Sequence, residues 1–183
     1  MEKGPEGFGI TARMLHWLVA VAVLLMIPAG LIMVRDGLPR AIQDALFLFH
    51  KNLGTLLIPV ILFRIYLRSR HPAPPLPDHM PLWQRRVAAA SHLLLYALLV
   101  VMPISGYIRV RAGGFPIEAL DRLNLPQLIP NSKAVAGFAS QLHEVSGYAL
   151  MALLAVHIGA AMYHAMIRRD GIWERMWPPH RRG

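Results

Sequence analysis

Residues 141–166 read QLHEVSGYALMALLAVHIGAAMYHAM, an apolar run that carries His143, His157 and His164. An α-helix turns about 100° per residue, so the fourteen positions between His143 and His157 return to within ~40° of one face. The seven between His157 and His164 return to within ~20°. At about 1.5 Å per residue, His143 and His157 lie roughly 21 Å apart along the axis, in opposite halves of a ~30 Å hydrocarbon layer. One helix face therefore presents imidazole at two depths of a membrane.

The rest of the chain supports that setting. Of 183 residues, 55% are hydrophobic and the mean hydropathy is +0.42, too apolar for a soluble domain of this size. Four runs, 14–34, 46–67, 87–110 and 145–167, are each long enough to cross a bilayer as a helix. Backbone polar groups in lipid must be paired within the segment, which selects helices. Pro28, Pro59 and Pro103 fall inside the runs, where membrane helices tolerate them as kinks. The expected fold is an all-α, integral membrane four-helix bundle. It forms one unit over 1–183, with spans at about 10–34, 46–68, 87–110 and 141–168.

The first run is too long for a signal-peptide core and lacks a small-residue cleavage site, so it is expected to stay as an anchor, with MEKGPEGFG as a loose leader. Four spans place both termini and the basic, proline-rich 68–86 loop on one side. That side holds eleven Lys and Arg residues against seven on the other. The excess predicts cytoplasmic termini. The net charge of +9 then reflects this asymmetry and contact with anionic membrane lipid, not nucleic acid. In the 111–140 connection, LPQLIPNSKAVAGFASQ suggests a short surface helix. No repeat of the solenoid kind is present.

The chain has no cysteine. That excludes thiolate-held iron–sulfur clusters, covalent CxxCH haem, disulfides and thiol nucleophiles. No Walker loop, GxGxxG or Ser-His-Asp pattern occurs. The chemistry falls to histidine, or to a cofactor that histidine holds.

Ionisable groups inside spans are costly and usually functional. Along alternating helices, His50 and His143 share the outer level. His157 shares the inner level with His16 or His92, and His164 lies at the inner edge. His71, His79 and His180 read as solvated surface residues. Two histidines facing each other at one depth supply the axial nitrogens of a six-coordinate b-type haem, and the bundle supplies an apolar slot. His50 is followed by Gly54 and His143 by Gly147; a glycine one turn along clears space for a flat porphyrin. Arg64, fourteen residues after His50, reaches the inner level and either meets a haem propionate or snorkels to the interface. A histidine-based metal transporter is the reading of another class, but Glu144 is the only acid close to a span and transporters usually bring carboxylates. The ten methionines are scattered as packing, not as a copper path.

His16-Trp17 in helix 1, HKNLG in helix 2, its exit FRIYLRSRHPAPP, SHLLLYALLVVMPISGY in helix 3 and LHEVSGY…VHIGAAMYH in helix 4 resemble the bacterial cytochrome b561 family over about residues 10–177. The length is most similar to its stand-alone four-span members. The resemblance implies a di-haem oxidoreductase of the bacterial inner membrane, with two haem b groups. His16 and His157 would hold the inner haem iron, and His50 and His143 the outer. For that pairing helix 1 should begin near Gly9, or tilt. Arg64 falls on a family arginine and His164 on a position associated with a quinone headgroup. The implied activity is oxidation of superoxide to oxygen on the outer side, with electrons passed to ubiquinone. The alternative is a quinone-linked cytochrome b subunit serving a hydrogenase, dehydrogenase or c-type cytochrome. Lys51, Arg109, Arg111, Arg122 and Lys133 are candidates for a positive outer mouth that steers superoxide. The 111–140 connection departs most from the family pattern.

Overall fold

A computed structural model describes residues 7–76 and 80–177. His79, His180 and residues 1–6 of the expected leader lie outside the described residues. Five α-helices follow in order: α1 (Ile10–Ile32), α2 (Arg40–Arg70), α3 (Leu82–Ala112), the short α4 (Glu118–Arg122) and α5 (Lys133–Tyr163). There is no strand among the described residues. α1, α2, α3 and α5 are long and apolar enough to cross a membrane. Their outward side chains, such as Leu18, Leu94 and Val156, are exposed as lipid-facing residues must be.

The helices run past the expected spans. α2 begins at Arg40 because Pro39, with its fixed φ of −54°, opens the first turn, and Gln43 N–H donates to Pro39 O. α5 begins at Lys133, capped by Ser132, whose Oγ accepts from Val135 N at 3.4 Å. Residues 133–140 thus belong to the fourth spanning helix. The short surface helix of the connection lies earlier than expected, at Glu118–Arg122. α1 begins at Ile10, next to Gly9, which brings His16 into its second turn.

Residues 7–9 are not a loose leader. Phe8 N donates to Arg175 O at 3.1 Å, and the Phe8 ring lies 5.6 Å from the Arg68 guanidinium and 5.8 Å from that of Arg175. The C-terminal segment closes this end of the bundle. Trp17 Nε1 donates to Met176 O, and the Trp17 ring packs on Trp173 and Trp177.

α1 packs on α2, α2 on α3, and α3 most extensively on α5. Val19, Val23, Leu57, Ile61, Leu95 and Leu150 form the dry centre. The hairpins α1–α2 and α3–α5 carry one pattern twice. His16, Val19, Met26 and Gly30 of α1 each precede His92, Leu95, Met102 and Gly106 of α3 by 76 positions. His50, Gly54, Leu57 and Arg64 of α2 precede His143, Gly147, Leu150 and His157 of α5 by 93. The correspondence is confined to the buried centre and the histidine levels, and it changes chemistry at the inner level, where Arg64 holds the position equivalent to His157.

Candidate functional site

The outer histidines are set by carbonyls on neighbouring helices. His50 Nδ1 lies 3.1 Å from Met26 O of α1, and His143 Nδ1 lies 2.9 Å from Met102 O of α3. A carbonyl only accepts, so each Nδ1 carries the proton and each Nε2 keeps its lone pair, the tautomer a metal-ligating histidine needs. Ser105 Oγ, 2% exposed as a residue, sits 3.3 Å from His143 Nδ1 and donates to Met102 O. Both carbonyls belong to helix turns with an internal proline, MIPAG (26–30) and MPISG (102–106).

The last residue of each turn makes room for the ring. A Cβ on Gly30 would come within 2.8 Å of His50 Cε1, and one on Gly106 within 3.0 Å of His143 Cε1. Gly30, Gly106 and the two methionine carbonyls were not singled out from the sequence. The available signal was the Met and Gly pair repeated 76 positions apart around a proline, which has no meaning until the hairpins are superposed.

The His50 and His143 ring centroids stand 6.1 Å apart. Two metal–imidazole bonds of about 2 Å plus the two ring radii give a separation of about 6 Å. The pair opens onto a cavity of about 1060 Å³ whose walls include Val23, Ile27, Leu57, Leu99 and Leu150. Pockets that enclose cofactor-sized ligands run to about 1,000 Å³. Gly54 and Gly147 line the same cavity, where a Gly54 Cβ would meet Met26 Cε at 3.1 Å. Donor set, spacing and apolar volume together fit an iron porphyrin at this level.

At the inner level His157 has two neighbours. Its ring centroid is 6.3 Å from His16 and 5.7 Å from His92, which is exposed while His16 and His157 are half-buried. Arg64 donates from Nη2 to His16 Nδ1 at 3.0 Å, which leaves the His16 proton on Nε2, the reverse of the outer histidines, and from Nη1 to Ala12 O at 3.2 Å. His164 stands apart from this group. It begins a π-helical turn over His164–Arg168, and its Nδ1 is 2.8 Å from Asp170 Oδ2. Among the described residues no group of three or more His, Asp or Glu side chains is arranged to hold a bare metal ion.

The outer loop divides the mouth cations. Lys51 Nζ pairs with Glu118 at 2.8 Å and donates to Pro116 O, while Asn52 binds Glu118 Oε2 and receives Ala119 N–H. Burial alone would push the Glu118 carboxyl up, but the bonds from Lys51 and Asn52 outweigh it and hold it below the usual range. Arg111, 4% exposed, is paired with Asp121 at 2.6 Å. Arg109 lines the cavity beside His143 with no carboxylate partner among the described residues, and Arg122 and Lys133 are exposed.

Residues 7–179 match the model of a family described as prokaryotic cytochrome b561. This chain belongs to the prokaryotic cytochrome b561 family. Cytochrome b561 homolog 2 of Escherichia coli (strain K12) is 34% identical over 177 residues, covering 94% of this chain and 92% of that protein. Cytochrome b561 homolog 1 of the same organism is 26% identical over 173 residues, covering 93% and 97%. A protein of Yersinia pestis named probable superoxide oxidase CybB is 26% identical over 168 residues, covering 91% and 93%. Membership of the b561 family implies a bacterial membrane protein that binds b-type haem and transfers electrons. It sets aside the haemless transporter reading.

Proposed function

We propose that this cytochrome b561 protein is a di-haem superoxide:ubiquinone oxidoreductase of the bacterial inner membrane, a single four-span unit with both termini cytoplasmic. The observation that carries it is the outer pair: His50 and His143, 6.1 Å apart at a cofactor-sized cavity, each with Nδ1 tied to a carbonyl. The relative named probable superoxide oxidase supports the choice of substrate.

Haem iron, when bound, supplies the one-electron couple of the reaction. Two superoxide anions give two molecules of oxygen and release two electrons, which with two protons convert one ubiquinone to ubiquinol. His50 and His143 would hold the outer haem, and His16 and His157 the inner, with His16 taking the ligating tautomer once Arg64 leaves its Nδ1. Gly54 and Gly147, which line the cavity, would leave room for the porphyrin. Arg109 places a positive charge at the outer cavity, where a small anion arrives. At the inner edge Asp170 accepts from His164 Nδ1, leaving the Nε2 lone pair to take a proton from water and pass it to a quinone headgroup.

The test is quinol formation by the purified protein fed a superoxide-generating system and a short-chain ubiquinone. Quinol should form at half the rate of superoxide loss. Superoxide loss no faster than spontaneous dismutation would contradict the proposal.

A second reading has an observation of its own. The relatives at 34% and 26% from Escherichia coli are named only as cytochrome b561 homologs. A chain that takes electrons from a dehydrogenase or c-type cytochrome partner would keep both haems, ignore superoxide and copurify with that partner.

A further inference from the structure

Arg175 is 5% exposed, and its Nε has no hydrogen-bond partner. Its Nη2 donates to Pro74 O. Burial, and then the charge of Arg68, pull its guanidinium below its ordinary value. Arg68 and Arg175 lie against the same Phe8 ring, and Arg68 is within electrostatic reach of Arg64 as well. Three guanidinium groups therefore gather at the inner end of the bundle, and one of them contacts His16 directly.

No carboxylate pairs with any of the three among the described residues. Asp170 is engaged by His164 and Arg168, and Glu174 points to solvent. Gathering like charges out of water is strongly unfavourable without a counter-ion. The cluster lacks an anion that the fold itself does not provide.

We propose that Arg64, Arg68 and Arg175 form an anion site that takes the propionate carboxylates of the inner haem. This rests on the reading that a haem is held beside His157 and His16. Arg64 contacts His16 and so lies within reach of a group that this histidine holds, and guanidinium groups bind carboxylates in a bidentate, charge-assisted way. A lipid phosphate has the same chemistry, but it stays at the headgroup level. Arg175 is 5% exposed, packed on the Phe8 ring and bonded to Pro74 O, and it is the contact of Arg64 with His16 that favours the haem as the source of the anion.

The experiment is a spectroscopic redox titration of purified wild type, Arg175→Gln, Arg175→Lys and Arg68→Gln, with haem and phosphorus counted per chain. A cation near the iron favours the reduced form. Arg175→Gln and Arg68→Gln should therefore lower the midpoint potential of one haem and leave the other in place, while Arg175→Lys restores part of the shift. Arg68 is half-buried, so its variant keeps the test open if the Arg175 variants fail to fold. Unmoved potentials in a protein with two haems overturn the anion site. Unmoved potentials with loss of bound phosphorus assign the arginines to lipid and overturn it equally. Fewer than two haems in wild type removes the inner-haem reading itself.

Discussion

At the scale of single residues, ligation depends on which nitrogen each histidine offers. His50 and His143 are held by Nδ1 and keep Nε2 free, so either replaced by alanine should leave one haem of two, read by pyridine haemochrome. His71, an exposed ring bonded to Leu67 O, is the control and its alanine variant should keep both. His92→Ala should also keep both, since the inner ligands are assigned to His16 and His157. The glycines make a sharper test. Gly30→Ala puts a Cβ within 2.8 Å of the His50 ring, and should disturb the outer haem's spectrum at a cost of about 1–3 kcal/mol in stability. The histidine levels were legible in the sequence because helix pitch converts spacing into depth. Their supports were not, because the Met26 and Met102 carbonyls belong to other helices and a backbone atom leaves no mark in a sequence.

At the scale of elements, four apolar runs gave four helices, since lipid leaves the backbone no other partner. The helix ends were less legible. Pro39 and Ser132 extend α2 and α5 into regions whose polarity reads as loop. The short helix of the outer connection lies earlier than the sequence suggests because it is fixed by side-chain pairs outside itself: Asp121 to the buried Arg111, and Glu118 to Lys51 of α2. Asp121→Ala strips a buried guanidinium of its partner and should cost about 3 kcal/mol, measured by thermal unfolding in detergent. The Glu118 carboxyl is held below its usual range, so the stability it contributes is present above the ordinary carboxylate pKa and is lost as pH falls through the lower, folded value. Proteolytic nicking of the 113–132 connection should accelerate at acid pH, and Glu118→Gln should remove that dependence. A nicking rate independent of pH in the wild type would contradict the Lys51–Glu118 latch.

At the scale of the whole molecule, two similar hairpins meet around a shared slot and differ at the inner level. The outer level pairs like with like, His50 with His143. At the inner level Arg64 takes the position in α2 that His157 takes in α5, and so brings a charge where the other hairpin brings an imidazole. At the outer end Arg109 lines the cavity with no carboxylate paired to it among the described residues, while Lys51 and Arg111 are paired within the loop. If that charge steers superoxide, its rate of reaction should fall with added salt, and Arg109→Gln should slow the reaction and flatten the salt dependence.

The most direct measurement is the absorption spectrum of the purified, detergent-solubilised protein before and after exposure to a superoxide-generating system, with haem counted per chain. The account predicts two b-type haems, both reduced by superoxide and reoxidised by ubiquinone. A single haem, or two haems that superoxide leaves oxidised, would contradict it.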